Sequence, residues 1–407
     1  MSTAKTTNTP TEAQSRIVSL DILRGFALLG IFIMNMIAFA MVGANYLNPM
    51  AEGWLEGADK YAYQFSEIFA NTKFMSLFSI LFGAGVVLFT ERVRLKGLSE
   101  AKWHYRRNFW LLIIGLAHAY LIWSGDILVS YAFCSVWVFL FRNKSPKTLY
   151  ISSAVFFAIG VGLTALTAWS LKYWEPQEIQ ELCADWTPSA EDIAYEVNAM
   201  RGSWIDQMEI RVEASFFMQT FIFLYSMVWK IISMMLLGMG LYKSGILTAS
   251  KSVSFYKTMA IWCLMVGLGL GAFGGHKNML HEYECTYSFF AGTKYNTFSS
   301  VFMVLGYIGL LMWAAKSKIG PALEKWLAPV GRMALTNYLM QSIIATTIFY
   351  GHGFGLFGTM GRASHWLVII PVWTFQILFS KCWMDRFKFG PAEWGWRTLT
   401  YWKRQQM

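Results

Sequence analysis

GLAHAYLIWSGDILVSY, residues Gly115 to Tyr131, places a histidine and an aspartate inside the most apolar part of this chain. His118 lies in a run otherwise made of Leu, Ala, Tyr, Ile and Trp, and Asp126 follows the helix-breaking pair Ser124-Gly125. Ionisable groups in a lipid-spanning segment are costly, so they face a protein interior or a water-filled cavity. Arg107 before the stretch and Arg142 after it mark the polar ends of two helices that meet at Asp126. The 16 residues from Asp126 to Arg142 reach roughly 24 Å as helix, short of a hydrocarbon core of about 30 Å. The turn at Gly125-Asp126 is therefore expected to be recessed below the far surface, as the floor of a pocket open to water.

Composition sets the class around that hairpin. A chain that is 56% hydrophobic and only 14% charged, with a mean hydropathy of +0.40, reads as a polytopic membrane protein. The net charge of +10 does not indicate nucleic acid, because the basic residues sit in loops beside hydrophobic spans. Candidate spans are 20–42, 63–90, 108–124, 127–142, 147–171, 213–242, 254–274, 297–315, 331–350 and 364–384. The expected fold is thus an all-α bundle of about ten transmembrane helices.

Loop charges orient it. Residues 91–107, 142–147, the loops around Lys243 to Lys257 and Lys316 to Lys325, and the C-terminal tail are basic. They alternate with acidic segments, above all 172–212, so both termini are expected to be cytoplasmic. The localisation this predicts is a bacterial inner membrane, crossed many times. By organisation the chain divides into a disordered tail (1–15), an N-terminal bundle (16–171), an acidic and partly helical outer loop (172–212), a C-terminal bundle (213–386) and an amphipathic inner-face tail (387–407). Cys183 and Cys285 fall in the two outer loops that contain cysteine and are expected to pair, in a compartment that permits oxidation.

Further polar groups inside spans carry the functional expectation. Asp21, Arg24 and Asn35 share a face of the first span, with 11 residues from Arg24 to Asn35, about three turns or roughly 16 Å. Lys73 falls near the middle of the second span and needs a partner, for which Asp126 or Glu67 is the candidate. Asn337 and Gln341 lie one turn apart in the ninth span, where they either line a cavity or bond helix to helix. A buried histidine is more often structural than catalytic, but His118 beside a recessed Asp126 is a candidate functional pair. HKNMLHE at 276–282 lacks a metal-ligand spacing, and no metal is expected. GHGFGLFG at 351–358 lacks the lysine of a phosphate loop and reads as a turn lining the outer mouth.

Longer motifs resemble a known family. RIVSLDILRGFALLGIFIMN at the start, KFMSLFSILFGAG from Lys73, GLAHAYLIWSGDIL from Gly115, GRMALTNYLMQSIIATTIFYGHGFGLFG from Gly331 and FKFGPAEWGWRTLTY from Phe387 resemble the YeiB family of bacterial inner-membrane proteins. The C-terminal part of that family is a domain of unknown function. The resemblance spans nearly the whole chain apart from 172–212 and implies a fold more than an activity.

The opening Asp-x-x-Arg-Gly, followed by a span with an Asn, is also similar to the transmembrane acyltransferases. These include the lysosomal heparan-glucosaminide N-acetyltransferase and bacterial enzymes that decorate surface sugars. That similarity implies acyl-coenzyme A as a cytoplasmic co-substrate, with no tightly bound cofactor, and a small-molecule or glycan acceptor on the far side. The chain departs from that pattern after Asn35, where MIAFAMVGANYLNPM holds no histidine. His118 would supply one from another helix.

On this reading Arg24, Arg106, Arg107 and Arg332 attract coenzyme A phosphates. Asp21, Lys73, Asn337 and Gln341 line the substrate path. His118, oriented by Asp126, is the general base, and Asn35 steadies the oxyanion. The bilayer is the expected partner, and a homodimer is compatible with the sequence. The alternative from another class is a transporter or lipid-handling protein without covalent chemistry, in which the same groups form a substrate or proton path.

Overall fold

Sixteen α-helices account for most of the chain in the computed structural model, which describes residues 17–53 and 55–407. The expected disordered tail at 1–15 lies outside the described residues. In the first half the helices are α1 (Val18–Ala40), α2 (Gly57–Phe65), α3 (Lys73–Leu95), α4 (Glu100–Leu121), α5 (Leu128–Val138), α6 (Pro146–Ser170), α7 (Pro176–Leu182) and α8 (Ala190–Arg201). In the second half they are α9 (Met208–Phe217), α10 (Val228–Lys243), α11 (Val253–Leu280), α12 (Thr293–Ala315), α13 (Gly320–Arg332), α14 (Ala334–Phe349), α15 (Trp366–Met384) and α16 (Pro391–Tyr401). Among the described residues there is no strand, and the molecule is an all-helical membrane bundle.

Seven helical segments are long and apolar enough to cross a bilayer among the described residues, against about ten expected. The other three expected spans are present as helices, α4, α5 and α14, but each is shorter or more polar. α4 and α14 carry the buried polar side chains of His118, Asn337, Gln341 and Ser342. The second and sixth spans are interrupted rather than continuous. A π turn at Ser66–Ala70 ends at Thr72, whose φ of 63° is left-handed, before α3 begins at Lys73. A longer π segment, Met218–Met227, joins α9 to α10.

The basic loop expected around Lys316 to Lys325 is largely helix. α13 is amphipathic and packs across α1 at the basic end of the bundle. The crossing is tight: a Cβ on Gly331 would collide with the carbonyl of Asp21, and one on Gly25 with the carbonyl of Leu327. Glycine at both positions lets the two backbones approach closely.

At the opposite, acidic end the segment after α6 folds into a cap. Ser189 and Asp192 form a capping box at the start of α8. Cys183 and Cys285 are joined, with Cα atoms 6.1 Å apart, and the Trp186 indole donates to the Tyr283 carbonyl at 2.9 Å. Glu196 accepts from the Gly43 amide at 2.9 Å, and Gly351 N–H donates to the Met200 carbonyl at 2.9 Å. The cap is therefore stitched to the segments that follow α1, α11 and α14 rather than hanging free.

The last helix is equally integrated. Glu393 accepts from the backbone amides of Leu335 and Thr336 at 2.6 and 3.1 Å and from the Thr336 hydroxyl at 2.6 Å. It thus caps the N-terminus of α14, where exposed amides and the helix dipole favour an anion. Burial pushes this carboxyl up, and its bonds to Thr336 and Leu335 pull it back. The i,i+4 partner that its spacing offers, Arg397, stacks instead over Phe389 at 4.4 Å. Trp396 donates to the Arg107 carbonyl at 2.9 Å, fastening α16 to α4.

Candidate functional site

The His118–Asp126 pair forms because α4 stops four residues short of the turn and α5 starts just after it. Backbone amides of Ile122 and Trp123 both close on the His118 carbonyl, ending α4 one turn beyond the imidazole. Asp126 then accepts from the Val129 amide at 2.9 Å, so its carboxylate sits on the electropositive start of α5. Its second oxygen lies 2.7 Å from His118 Nδ1. On the far side of the ring, Nε2 lies 2.9 Å from the hydroxyl of Ser342 on α14. Carboxylate, imidazole and hydroxyl are thus in line, and the residues are 5%, 1% and 1% exposed.

With Nδ1–H donated to Asp126, neutral His118 presents its lone pair at Nε2, toward a hydroxyl. The Tyr338 ring packs on the imidazole at 5.1 Å, and its phenolic oxygen accepts from the Ile127 amide at 3.3 Å. Trp123 lies edge-on to the imidazole at 6.3 Å and stacks on Phe39 at 4.0 Å. Gly125 is required by that indole, because a Cβ there would run into the Trp123 ring.

Asp126 is buried, and the turn is covered rather than open to water as expected. Trp123, Phe39, Phe349, Tyr350, Phe357 and Met200 form one apolar cluster over it. The glycine-rich stretch expected to line an open mouth instead closes it, with the Gly358 amide on the Ala40 carbonyl and Arg201 on the Phe357 carbonyl. Ser215 and Trp204 donate to the Ala119 and Leu121 carbonyls, sealing the end of α4. Burying these aromatic rings favours closure. A cleft of about 550 Å³ opens nearby, on the other face of α4, between Tyr120 and the α9 residues Glu209, Val212 and Glu213.

The remaining candidates fall into three groups: helix-bonding amides, two further polar groups inside the bundle, and the cations. Asn337 and Gln341 are helix-bonding amides. Asn337 donates to Ser380 at 2.8 Å, and Gln341 donates to Gln376 at 2.9 Å and to the Leu28 carbonyl at 3.3 Å. They hold α14 against α15 and α1 and so fix the height of Ser342. Lys73 is not brought to Asp126. Its ammonium bonds the Glu67 carbonyl at 2.6 Å and the side chain of Asn296. The π turn at 66–70 leaves that carbonyl pointing inward, which satisfies the amine without a carboxylate. Asn35 is half-buried and has no side-chain hydrogen bond among the described residues. It lies seven residues after Leu28, nearly on the stripe of α1 that meets α14.

The third group is the cation cluster at the basic end. Arg24 pairs with Asp21 at 2.9 Å. Burial, with Arg397 and Arg24 nearby, draws the Arg107 guanidinium down to about 10. Arg107 stacks on Trp396 at 4.4 Å, and Arg332 follows Gly331 at the α1 crossing. Arg106 is set apart between the rings of Trp103 and Trp402, at 5.3 and 4.0 Å. Arg107 and His118 are 11 residues apart on α4, which puts them on one stripe about 16 Å apart. The same interval separates Arg24 and Asn35 on α1, so each of these two helices runs from a cation at the basic end to a polar group deeper in the bundle.

Sequence comparisons bear on the whole of this arrangement. The family described as "Protein of unknown function (DUF418)" matches residues 241–403. The chain is similar to Uncharacterized protein YeiB of Escherichia coli (strain K12), 31% identical over 95% of this chain and 96% of the relative. It is similar to Uncharacterized protein YxaH of Bacillus subtilis (strain 168), 33% identical over 96% of each. A third relative, Uncharacterized 39.9 kDa protein in amylase 3'region of Bacillus acidopullulyticus, is 26% identical over 96% of each.

Proposed function

The chain belongs to the YeiB family of membrane proteins, and we propose that, as a member, it is an acyltransferase of the inner membrane. It moves an acyl group from cytoplasmic acyl-coenzyme A to a hydroxyl or amine on a sugar-like acceptor at the acidic side. The observation that carries this reading is the line Asp126–His118–Ser342, with 2.7 and 2.9 Å contacts on opposite nitrogens of one imidazole. That geometry suits a general base whose tautomer is fixed from behind and whose lone pair faces a hydroxyl.

The basic end faces the cytoplasm on the positive-inside rule. There Arg24, Arg107, Arg332 and Arg397 bind the phosphates of the donor by charge-assisted hydrogen bonds. The acyl-bearing arm rises along the interval from Arg107 to His118. Asn35, whose amide has no partner among the described residues, donates to the carbonyl oxygen as charge develops on it. The buried setting favours transfer over hydrolysis by keeping bulk water away from the thioester. Because the acidic-end cluster around Trp123 and Phe357 covers the base, the acceptor enters by displacing it.

The test uses purified full-length protein in detergent, acetyl- and longer acyl-coenzyme A, and amino sugars as acceptors. Thiol release that depends on the acceptor and disappears with His118→Gln supports the reading. Equal thiol release from wild type and variant would overturn it. If acetyl-coenzyme A and its longer homologues are all inert, while liposomes containing the protein move protons or solutes, the transport reading takes its place.

A further inference from the structure

We propose that Ser342 is the nucleophile of this reaction, so that the acyl group passes through a serine ester before reaching the acceptor; this rests on the acyl-transfer reading. Buried hydroxyls in apolar helices normally satisfy themselves by bonding back to the carbonyl four residues earlier. Ser76, Ser79 and Thr90 do so here, at 2.7, 2.9 and 2.9 Å. Ser342 departs from that habit: its contact to the Tyr338 carbonyl is stretched to 3.5 Å, whereas His118 Nε2 lies at 2.9 Å. The hydroxyl is turned away from its own helix toward the imidazole, the geometry that removes a proton from a serine.

Two neighbours complete the arrangement. Asp126 holds the imidazole from behind at 2.7 Å, and no other hydrogen bond reaches Nε2 among the described residues. The Tyr338 phenol sits one turn before Ser342 on the same helix. It accepts from the Ile127 amide, and its own proton has no acceptor among the described residues. That proton is available to an oxyanion formed at Ser342.

The steps balance without any co-reactant beyond donor and acceptor. Ser342 Oγ attacks the thioester carbonyl carbon while His118 Nε2 takes the hydroxyl proton. The C–S bond breaks, and the leaving thiolate takes that proton from the imidazolium, leaving an acyl ester on Ser342. An acceptor hydroxyl or amine then gives its proton to His118 as its oxygen or nitrogen attacks the ester. Ser342 Oγ leaves and regains the proton.

The experiment has two arms on the purified full chain. A fluorophosphonate, which replaces its fluoride with an activated serine oxygen, tests nucleophilicity without a substrate. Mass spectrometry is expected to find the phosphonyl group on Ser342, with labelling slowed about 100-fold or more by His118→Gln or Asp126→Asn. In the second arm acetyl-coenzyme A is given without acceptor, and acetyl is expected on the Ser342 peptide. Ser342→Cys serves in case Ser342→Ala fails to fold: it is expected to trap a thioester that neutral hydroxylamine cleaves. The inference is overturned if Ser342 stays unlabelled in both arms, or if Ser342→Ala transfers acyl groups at the wild-type rate. His118→Gln being inactive in that last case would leave the general-base reading standing, with direct transfer from thioester to acceptor.

Discussion

His118 Nε2 and Ser342 Oγ stand 2.9 Å apart although 224 residues separate them in the chain. The contact joins the first half of the bundle to the second at a point where both side chains are sealed from solvent. It also makes a sharp distinction between packing and chemistry possible. If the pair only packs, removing a partner from buried Asp126 costs about 3–5 kcal/mol and leaves activity intact. If it reacts, His118→Gln keeps a hydrogen bond to Asp126, and the protein folds. Acyl transfer then falls about 100-fold or more. Melting temperature and thiol-release rate, measured on the same preparation, check this.

A second expectation concerns the cap. The Cys183–Cys285 bond closes a separation of 102 residues, and loss of such a bridge typically costs about 2–5 kcal/mol. Cys183→Ser is expected to lower the melting temperature, and reductant is expected to lower wild type to the same value. Peptide mapping without reductant checks the pairing. Free thiols at both positions in protein never exposed to reductant would refute it.

The terminal helix gives a third. Glu393→Ala removes three bonds at the start of α14, and loss of such a cap costs about 1–2 kcal/mol. Ending the chain after Phe389 removes this cap and the Trp396 bond to the Arg107 carbonyl as well. It is expected to lower the yield of folded protein further. Fluorescence-detected size exclusion of both variants checks the order of severity.

His365 gives a fourth, with its sign fixed by burial. Burial beside Arg362 pulls this imidazole down to about 4. Below its ordinary value near 6.5, the unfolded chain takes up a proton that the folded protein refuses. Stability is fully present above pH 6.5 and is lost as pH falls toward 4. The loss is at most about 3 kcal/mol from this group. His365→Gln is expected to flatten that part of the profile, read as melting temperature between pH 7 and pH 4.

How much of this was legible in the sequence depended on distance along the chain. Hydropathy placed a helix at each of the ten expected segments, of which seven are long and apolar enough to cross a bilayer, because a membrane helix is written in a continuous run of residues. The His118–Asp126 pair was visible for a similar reason: eight residues and a helix-breaking turn bring them together locally. Ser342 was not visible, since a serine in MQSIIATT carries no mark of the imidazole that packs on it from α4. Lys73 was assigned a carboxylate by charge alone. A broken helix offered it the Glu67 carbonyl, and α12 offered Asn296, neither of which periodicity reveals. The open mouth failed in the same way. Its closure depends on Met200 of α8 and Phe357 of the glycine-rich loop meeting from more than 150 residues apart.

The cap that Glu393 places on α14 also has a bearing on the order of events at the ribosome. α14 carries Ser342, and its first turn lacks a partner for its amides until α16 has been made and has folded back under the bundle. α4 and α5, with His118 and Asp126, are synthesised more than 200 residues earlier. The imidazole is therefore made long before its hydroxyl partner, and the start of the helix that carries that partner is capped only once α16 has been made. Until Ser342 has been made, the nascent chain holds the His118–Asp126 pair without its contact to that residue.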